Sequence, residues 1–223
     1  MKIVVLLAGQ GNRFGRLTKN NHKSLISINS SYNTLKYLSY CLRGIKFTEL
    51  VFILGHCNKI LEKKIKVYFK KDKTKIKFVL VKNYKISNNL NSMYCAKNFL
   101  KDNDFLIING DTIFPPLFII NMIKNKNSNI SIQYSQNTIE APKVFLQKKN
   151  LILIDRYSKK MGNTNLKFKG FMTGLLFINK KLSNFYFKKA NLLLKKDQDS
   201  VFYDPLIGVS KNDLDFTYQA GIW

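Results

Sequence analysis

The sequence has few acidic residues and no long apolar run. Asp and Glu number 13 against 38 Lys and Arg, which gives a formal net charge of +25. Such an excess of positive charge favours anionic partners, namely nucleic acid, an anionic membrane surface or small polyanionic substrates. Because the lysines are scattered along the whole chain and occur with many Asn, Ile, Phe and Tyr residues, we interpret the charge mainly as a feature of overall composition, and nucleic acid is not the expected partner.

No apolar run is long enough to cross a bilayer. The run at residues 3–8 is also too short for a signal peptide, and no cleavage site of small residues follows it. We therefore expect a cytoplasmic protein with no membrane partner.

Cysteine and histidine are scarce and scattered. Cys41, Cys57 and Cys95 form no C-x-x-C pair and no zinc-like spacing, so we expect free thiols in a reducing compartment. His22 and His56 share no ligand spacing, and no Ser/His/Asp or Cys/His constellation is present. The sequence therefore predicts chemistry without a covalent intermediate.

Apolar residues, by contrast, are plentiful enough to form a core. Hydrophobic residues make up 45% of the chain and aromatic residues 13%, which is more than a disordered chain would show. A length of 223 residues suits one α/β domain and is short for two. No internal repeat or linker interrupts the chain, so we predict a single domain over residues 1–223.

The first half of the sequence alternates between apolar runs and helical periodicities. Strands are predicted at residues 3–8, 49–54, 75–81 and 105–108. Helices are predicted between them, with Thr34 as the candidate N-cap of the first. This alternation is typical of parallel strands joined by right-handed crossovers.

The period changes beyond the proline pair at residues 115–116. One helix and then a series of strands, with only weak helical signals between them, predict a mixed or antiparallel second half. These strands are expected at residues 130–134, 144–146, 151–154 and 172–178.

The first motif that carries chemistry is the stretch at residues 6–25, L-L-A-G-Q-G-N-R-F-G-R-L-T-K-N-N-H-K-S-L. Gly9 and Gly11 lack a Cβ, so backbone N–H groups can approach a polyphosphate closely. The Arg13 guanidinium can grip two phosphate oxygens at once, and the flexible Lys23 ammonium can follow charge onto a leaving group. The sequence predicts a polyphosphate site here.

This stretch resembles the signature of the sugar-phosphate and related nucleotidyltransferases, L-A-x-G-x-G-x-R followed about ten residues later by Pro-Lys. The resemblance implies that Arg13 and Lys23 are catalytic, and it departs at His22, where the family usually has Pro. A Rossmann fingerprint is disfavoured because its third glycine would fall at Phe14, and a Walker loop is excluded because no Gly-Lys-Ser/Thr follows. The nucleotide-binding residues implied in this stretch are Leu7, Ala8, Gly9 and Gly11.

A second motif is Asp111 in F-L-I-I-N-G-D-T-I-F. A carboxylate at the carboxyl end of a parallel strand faces the crevice where open α/β sheets bind ligands, and it suits Mg²⁺ bridging phosphate oxygens. The resemblance implies a metal-binding Asp and a Mg²⁺ cofactor. A turn or helix-cap aspartate is the structural alternative.

A third motif lies at residues 83–94, N-Y-K-I-S-N-N-L-N-S-M-Y. Asn88, Asn89, Ser92 and Tyr94 resemble the N-N-x-x-S-x-Y segment of phosphocholine cytidylyltransferases. The resemblance implies that CTP is the NTP, that the first three residues bind it, and that Tyr94 contacts the acceptor. In the structural alternative, the segment is an Asn-rich loop and Ser92 caps the next helix.

Two further positions are implied to contact the acceptor. Lys160 resembles a lysine placed against the acceptor phosphate, although a solvated surface charge is the alternative. Asp204 resembles an acidic position that meets a cationic head group, although a turn before Pro205 explains it equally well.

The resemblance covers nearly the whole chain but stops short at the end. Family members usually continue past an aromatic residue at the position of Trp223 to an Asp that is the second metal ligand. The resemblance therefore predicts a chain truncated at its C-terminus, with Asp213 and Asp215 as the alternative carboxylates.

The fold implied is a three-layer α/β/α domain with a mixed, mainly parallel sheet, similar to GT-A folds and with a Rossmann-like nucleotide-binding half. Residues 1–114 would bind the NTP and residues 115–223 a phosphorylated small-molecule acceptor, either an amino-alcohol phosphate or a sugar phosphate. Transfer would release pyrophosphate and supply surface-polysaccharide or capsule precursors. A glycosyltransferase that consumes a sugar nucleotide and a non-catalytic nucleotide- or nucleic-acid-binding protein are the alternatives, and the oligomeric state is left open.

Overall fold

The fold is an α/β fold in which one β-sheet is flanked by helices. A computed structural model describes residues 1–70, 75–124, 127–134, 141–147, 151–155 and 166–218. Its strands are β1 Lys2–Leu7, β2 Glu49–Leu54, β3 Lys75–Leu80, β4 Phe105–Asn109, β5 Ser128–Gln133, β6 Lys143–Gln147, β7 Leu151–Asp155, β8 Lys167–Ile178 and β9 Leu214–Tyr218. Its α-helices are α1 Thr34–Cys41, α2 Asn58–Tyr68, α3 Asn89–Cys95, α4 Lys97–Leu100, α5 Pro116–Lys124 and α6 Lys180–Lys196.

The nine strands form one mixed sheet. Its main path runs β3-β2-β1-β4-β8-β5-β9, while β6 pairs with β8 and with β7. The pairs from β3 to β4 are parallel, β8 is antiparallel to both β4 and β5, and β9 is parallel to β5. Along the described main path, β8 is therefore the one strand that runs against the others. The prediction of a mixed, mainly parallel sheet is confirmed.

The helices cover both faces of the sheet and give the predicted three layers. Side chains along β1 alternate between the faces, as the two-residue period of a strand requires. Ile3, Val5 and Leu7 pack in a cluster with α1, α2 and α5. Val4 and Ala8 pack in a second cluster with α3, α4 and α6. Each aliphatic side chain buried in this way contributes about 1.5–3 kcal/mol relative to exposure, so β1 anchors both layers.

Helix α6 and strand β9 were not predicted from the sequence. The buried face of α6 includes Tyr186 and Phe187, but Phe185 is 44% exposed and Leu192 is 59% exposed. These exposed apolar side chains obscure the amphipathic stripe that identifies a helix. Among the described residues, no helix combines the length and apolar character that crossing a bilayer requires.

Two helix caps differ from the sequence predictions. Asn33, not Thr34, caps α1, because its side chain accepts a hydrogen bond from the backbone N–H of Lys36. Asn88 caps α3 by accepting from the N–H of Asn89, and Ser92 lies inside that helix. The interpretation of Ser92 as a cap is therefore wrong.

The strand order defines a crevice at one edge of the sheet. From β1 the chain proceeds to β2 and β3 on one side, whereas β4 lies on the other side of β1. Such a reversal of strand order leaves an opening above the carboxyl ends of the two central strands, where open α/β sheets bind their ligands. The loops that follow β1 and β4 meet there.

Candidate active site

A cavity of about 340 Å³ occupies this crevice. It is formed by the loop after β1, the end of β4 with the turn that follows, and the segment that leads into α3. The lining residues are Leu6, Ala8, Gly9, Arg13, Lys23, Tyr84, Ser87, Asn88, Asn89, Ser92, Asn109 and Asp111.

The glycine loop after β1 is open on one side and tightly packed on the other. A Cβ at Gly9 would meet nothing within 4 Å, which leaves the backbone accessible from the cavity. Gly11 has a φ of +70°, and a Cβ there would lie 3.2 Å from Thr18 Cγ2 and 3.3 Å from Lys23 Cβ. The Thr18 hydroxyl also donates to the Gly11 carbonyl at 3.0 Å. Gly11 thus lets the loop close onto the segment that carries Lys23.

Lys23 and Asp111 meet in the cavity as an ion pair. Lys23 Nζ lies 2.5 Å from Asp111 Oδ2, and the two side chains are 22% and 34% exposed. Arg13 lines the same cavity, so the two cations of the first motif and the carboxylate of the second converge there. This local excess of positive charge suits a polyanion.

The turn that presents Asp111 is pressed against β1. The N–H of Gly110 donates to the Leu6 carbonyl at 3.1 Å. A Cβ at Gly110 would lie 2.9 Å from that carbonyl oxygen and would collide with the Leu7 side chain. Glycine at this position therefore lets β4 and β1 approach closely enough to direct Asp111 into the crevice.

His22 starts the short turn at Lys23–Leu25. Its ring is fully buried, and its Nδ1 accepts from the Ser24 N–H at 3.1 Å. Burial, followed by the nearby charge of Lys23, lowers the pKa of the imidazole from 6.5 to about 4. The ring is consequently neutral at physiological pH.

The entrance to α3 supplies amide groups whose oxygens are already engaged. Asn88 Oδ1 accepts from the N–H of Asn89 at 2.7 Å, and Asn89 Oδ1 accepts from the N–H of Phe202 at 2.8 Å. Asn88 Nδ2 donates one bond to the Asp199 carbonyl at 3.1 Å. The groups of these two side chains that remain available to a ligand in the cavity are amide N–H donors.

The cavity fits Mg²⁺ only as a partner of a phosphate ligand. Asp111 provides a hard oxygen, but the described residues contain no group of three His, Cys, Asp or Glu side chains that could hold a metal. Mg²⁺ is commonly bound through one or two carboxylates together with water and substrate phosphates. Asp111, which shares the cavity with the cationic side chains of Arg13 and Lys23, meets the carboxylate part of that requirement.

Other residues implied by the resemblance lie away from the cavity lining. Leu7 is buried beneath the loop, and Gly11 packs beside it. The Tyr94 hydroxyl donates to Asn191 Oδ1 at 3.0 Å, which ties α3 to α6. Asp204 is 7% exposed and accepts from the Val201 N–H at 2.8 Å in a local turn. Lys160 lies outside the described residues.

The alternative carboxylates are remote from Asp111. Asp213 Oδ1 lies 2.8 Å from Lys181 Nζ, at the start of α6. Strand β9 runs in the same direction as β4, so Asp213 and Asp215 at its start lie at the amino ends of the strands, opposite the cavity. The interpretation of these residues as a second metal ligand is therefore wrong.

Four lining residues were not singled out from the sequence. Tyr84 and Ser87 lie in the Asn-rich segment, where the family pattern drew attention only to later positions. Asn109 ends β4 directly before the Gly-Asp pair, and Leu6 lies near the end of β1. Leu6 and Asn109 lie at the carboxyl ends of neighbouring parallel strands, and this position was the signal that could have identified them.

Residues 2–143 match the model of a family described as nucleotidyl transferase. The match covers more than half of the chain and includes the glycine loop, α3 and Asp111.

Two curated relatives match about half of the chain. A choline-phosphate cytidylyltransferase from Haemophilus influenzae is 29% identical over 113 residues, which are 51% of this chain and 45% of the relative. The bifunctional protein GlmU from Methanococcus maripaludis is 32% identical over 115 residues, which are 51% of this chain and 25% of the relative. The matched segments thus span less than half the length of either relative.

A solved structure matches over nearly the whole chain. It is a CTP:phosphocholine cytidylyltransferase from Streptococcus pneumoniae, with a TM-score of 0.69 at 18% identity. The alignment covers 99% of this chain and 90% of that one. At this identity the likeness establishes a shared fold.

Proposed function

The chain belongs to the nucleotidyl transferase family, and on that premise we propose that it transfers a nucleoside monophosphate from an NTP to a phosphorylated small molecule. The observation that carries this proposal is the convergence of Arg13, Lys23 and Asp111 in one cavity at the carboxyl ends of β1 and β4. Arg13 and Lys23 come from the segment that follows β1, and Asp111 comes from the turn that follows β4, 88 residues after Lys23. The pairing of β1 with β4 brings the two segments together.

In the proposed reaction, an oxygen of the acceptor phosphate attacks the α-phosphorus in line. A new oxygen–phosphorus bond forms while the bond to the bridging oxygen of the β-phosphate breaks, and pyrophosphate leaves. The second pKa of a phosphate monoester is about 6, so the attacking oxygen is already ionised at neutral pH. The reaction therefore needs no general base. Positioning and charge neutralisation therefore carry the catalysis.

The side chains divide this work by their chemistry. The open backbone at Gly9 would donate hydrogen bonds to the triphosphate. Arg13 can grip two phosphate oxygens, and Lys23 can stabilise the charge that develops on the leaving pyrophosphate. Asp111 would hold Mg²⁺, which supplies further charge neutralisation at the phosphates when it is bound.

For the donor we propose CTP, and for the acceptor an amino-alcohol phosphate or a sugar phosphate. The N–H groups of Asn88 and Asn89 suit the acceptor atoms of a pyrimidine ring, and two of the related proteins are named for cytidylyl transfer to phosphocholine. The product would be an activated precursor for a surface polysaccharide or capsule.

The test is pyrophosphate release with each of the four NTPs in the presence of Mg²⁺. Phosphocholine, phosphoethanolamine and glucose 1-phosphate serve as acceptors, and a sugar nucleotide in place of the NTP tests the glycosyltransferase alternative. We expect release with CTP and one phosphorylated acceptor. Absence of pyrophosphate with every pair would refute the proposed function.

The first testable prediction concerns Lys23. Replacing Lys23 with Ala should lower kcat by about 10²-fold or more, because a charge aimed at the transition state is lost. The matched control is Lys64→Ala, which removes an exposed lysine of α2 outside the cavity and should leave kcat unchanged. Equal turnover by the Lys23→Ala variant and the wild type would remove Lys23 from the mechanism.

A further inference from the structure

The turn that carries Lys23 is only three residues long and is held by a buried side chain. His22 has an extended backbone, with φ −93° and ψ 141°, and its ring is fully buried. Its Nδ1 accepts from the Ser24 N–H at 3.1 Å and lies 2.8 Å from Ser24 Oγ. Because Nδ1 is an acceptor, the ring proton belongs on Nε2.

A proline at position 22 would stiffen the turn differently. Proline fixes φ and has no N–H, whereas the N–H of His22 donates to Asn21 Oδ1 at 2.9 Å. Residue 22 is therefore held by hydrogen bonds on both sides, to Asn21 and to Ser24. This arrangement fixes the backbone that immediately precedes and follows Lys23.

A second contact joins the Lys23 turn to the Asp111 turn. Thr34 Oγ1, at the first residue of α1, lies 3.1 Å from the Ser24 carbonyl oxygen and 3.1 Å from the Gly110 carbonyl oxygen. Ser24 follows Lys23 in sequence, and Gly110 precedes Asp111. One hydroxyl therefore bridges the backbones next to the two charged residues that form the ion pair.

We propose that His22 and Thr34 are positioning residues, which set the place of the Lys23 ammonium relative to Asp111 and the bound triphosphate. This inference rests on the proposed function and adds two residues to it. Neither residue lines the cavity, so both act through the backbone of the Lys23 turn. Catalysis by positioning is sensitive to displacements of about 1 Å, so a shift of the backbone at Lys23 would move the ammonium away from the reacting phosphate.

The experiment is a double-mutant cycle on kcat. His22→Ala removes the acceptor, His22→Asn keeps an acceptor oxygen suited to capping, Thr34→Val removes the hydroxyl and Thr34→Ser keeps it. We expect His22→Ala and Thr34→Val to lower kcat by about tenfold or more, with KM for the NTP within about threefold. The Asn and Ser variants should recover most of the loss.

The decisive comparison is made in a Lys23→Ala background. If His22 acts by placing Lys23, His22→Ala should cause no further loss of kcat once that lysine is gone. A loss of the same size in both backgrounds would overturn the proposal, because it would show a general structural effect. The proposal would also be overturned if the kcat of the His22→Asn variant were no higher than the kcat of the His22→Ala variant.

A readout that does not need turnover separates this proposal from the proposed function. Lysines reductively methylated with ¹³C give one NMR signal each, and Lys23→Arg identifies the signal of Lys23. We expect this signal to move in His22→Ala and Thr34→Val but to stay in place in His22→Asn and Thr34→Ser. An unmoved signal in the first pair would overturn the positioning role, even if no NTP proved to be a substrate.

Discussion

His22 links the position of Lys23, for which we propose a catalytic role, to protonation. Its pKa is about 4 in the folded protein and about 6.5 when unfolded, so the folded state resists protonation more than the unfolded state does. The contribution to stability is complete above pH 6.5 and is lost as the pH falls from 6.5 towards 4. The difference corresponds to about 3 kcal/mol at the acidic end.

We predict that His22→Asn reduces the dependence of the free energy of unfolding on pH in the acidic range. The free energy of unfolding of the wild type should decrease as the pH falls from 6.5 to 4. The decrease in the variant should be smaller than that of the wild type by about 3 kcal/mol. Urea denaturation at a series of pH values measures both. Parallel decreases in the two proteins would mean that another group governs the acid limb.

A second prediction at this scale concerns the contact between the Asp111 turn and β1. Gly110→Ala should destabilise the protein by about 1–3 kcal/mol, because its Cβ would press on the Leu6 carbonyl and the Leu7 side chain. Gly9→Ala is the matched control, since a Cβ there meets nothing within 4 Å. Chemical denaturation should separate the two variants, and equal stability would contradict the steric argument.

At the scale of elements, the start of α3 serves both the helix and the cavity. Asn88 caps α3 and also holds the Asp199 carbonyl. We predict that Asn88→Ala lowers the free energy of unfolding by about 1 kcal/mol and that Asn88→Ser, which can still cap, loses less. Urea denaturation of the three proteins measures this, and identical losses in Ala and Ser would argue against a capping role.

The first half of the fold follows directly from its sequence pattern. Continuous apolar runs such as that of β1 indicate strands buried on both faces, and the four predicted parallel strands are all present. The second half depends more on tertiary contacts. Strand β9 is a short segment that becomes a strand by pairing with β5, and α6 has apolar residues on its exposed face.

The candidate site divides in the same way. Arg13, Lys23 and Asp111 belong to motifs at strand ends, and the strand order brings them into one cavity. The orientation of Asn88 could not be predicted, because its bonds to Asn89 and Asp199 depend on how α3 packs near α6. Spacing along the sequence carries no information about such contacts.

At the scale of the whole molecule, the net charge of +25 would affect how the proposed triphosphate substrate arrives. Long-range attraction raises the rate of encounter with a triphosphate and weakens as salt shortens the screening length from about 10 Å at 0.1 M to about 3 Å at 1 M. We predict that KM for the NTP rises by about threefold or more over this range, with a smaller change in kcat. Binding of the uncharged nucleoside, measured by calorimetry, should stay nearly constant. A KM that does not respond to salt would mean that the charge has no part in substrate capture.

Successive side chains of β1 point to opposite faces of the sheet, so the sheet separates two apolar clusters. Neighbouring residues such as Val4 and Val5 contribute to different interiors, so truncating both should cost about the sum of the two separate losses. Helices α1, α2 and α5 can therefore accumulate substitutions without forcing repacking around α3 and α6. In the same way, the layer of α3 and α6 next to the Asn-lined wall of the cavity can diverge without repacking the opposite layer, in which α1 begins at Thr34.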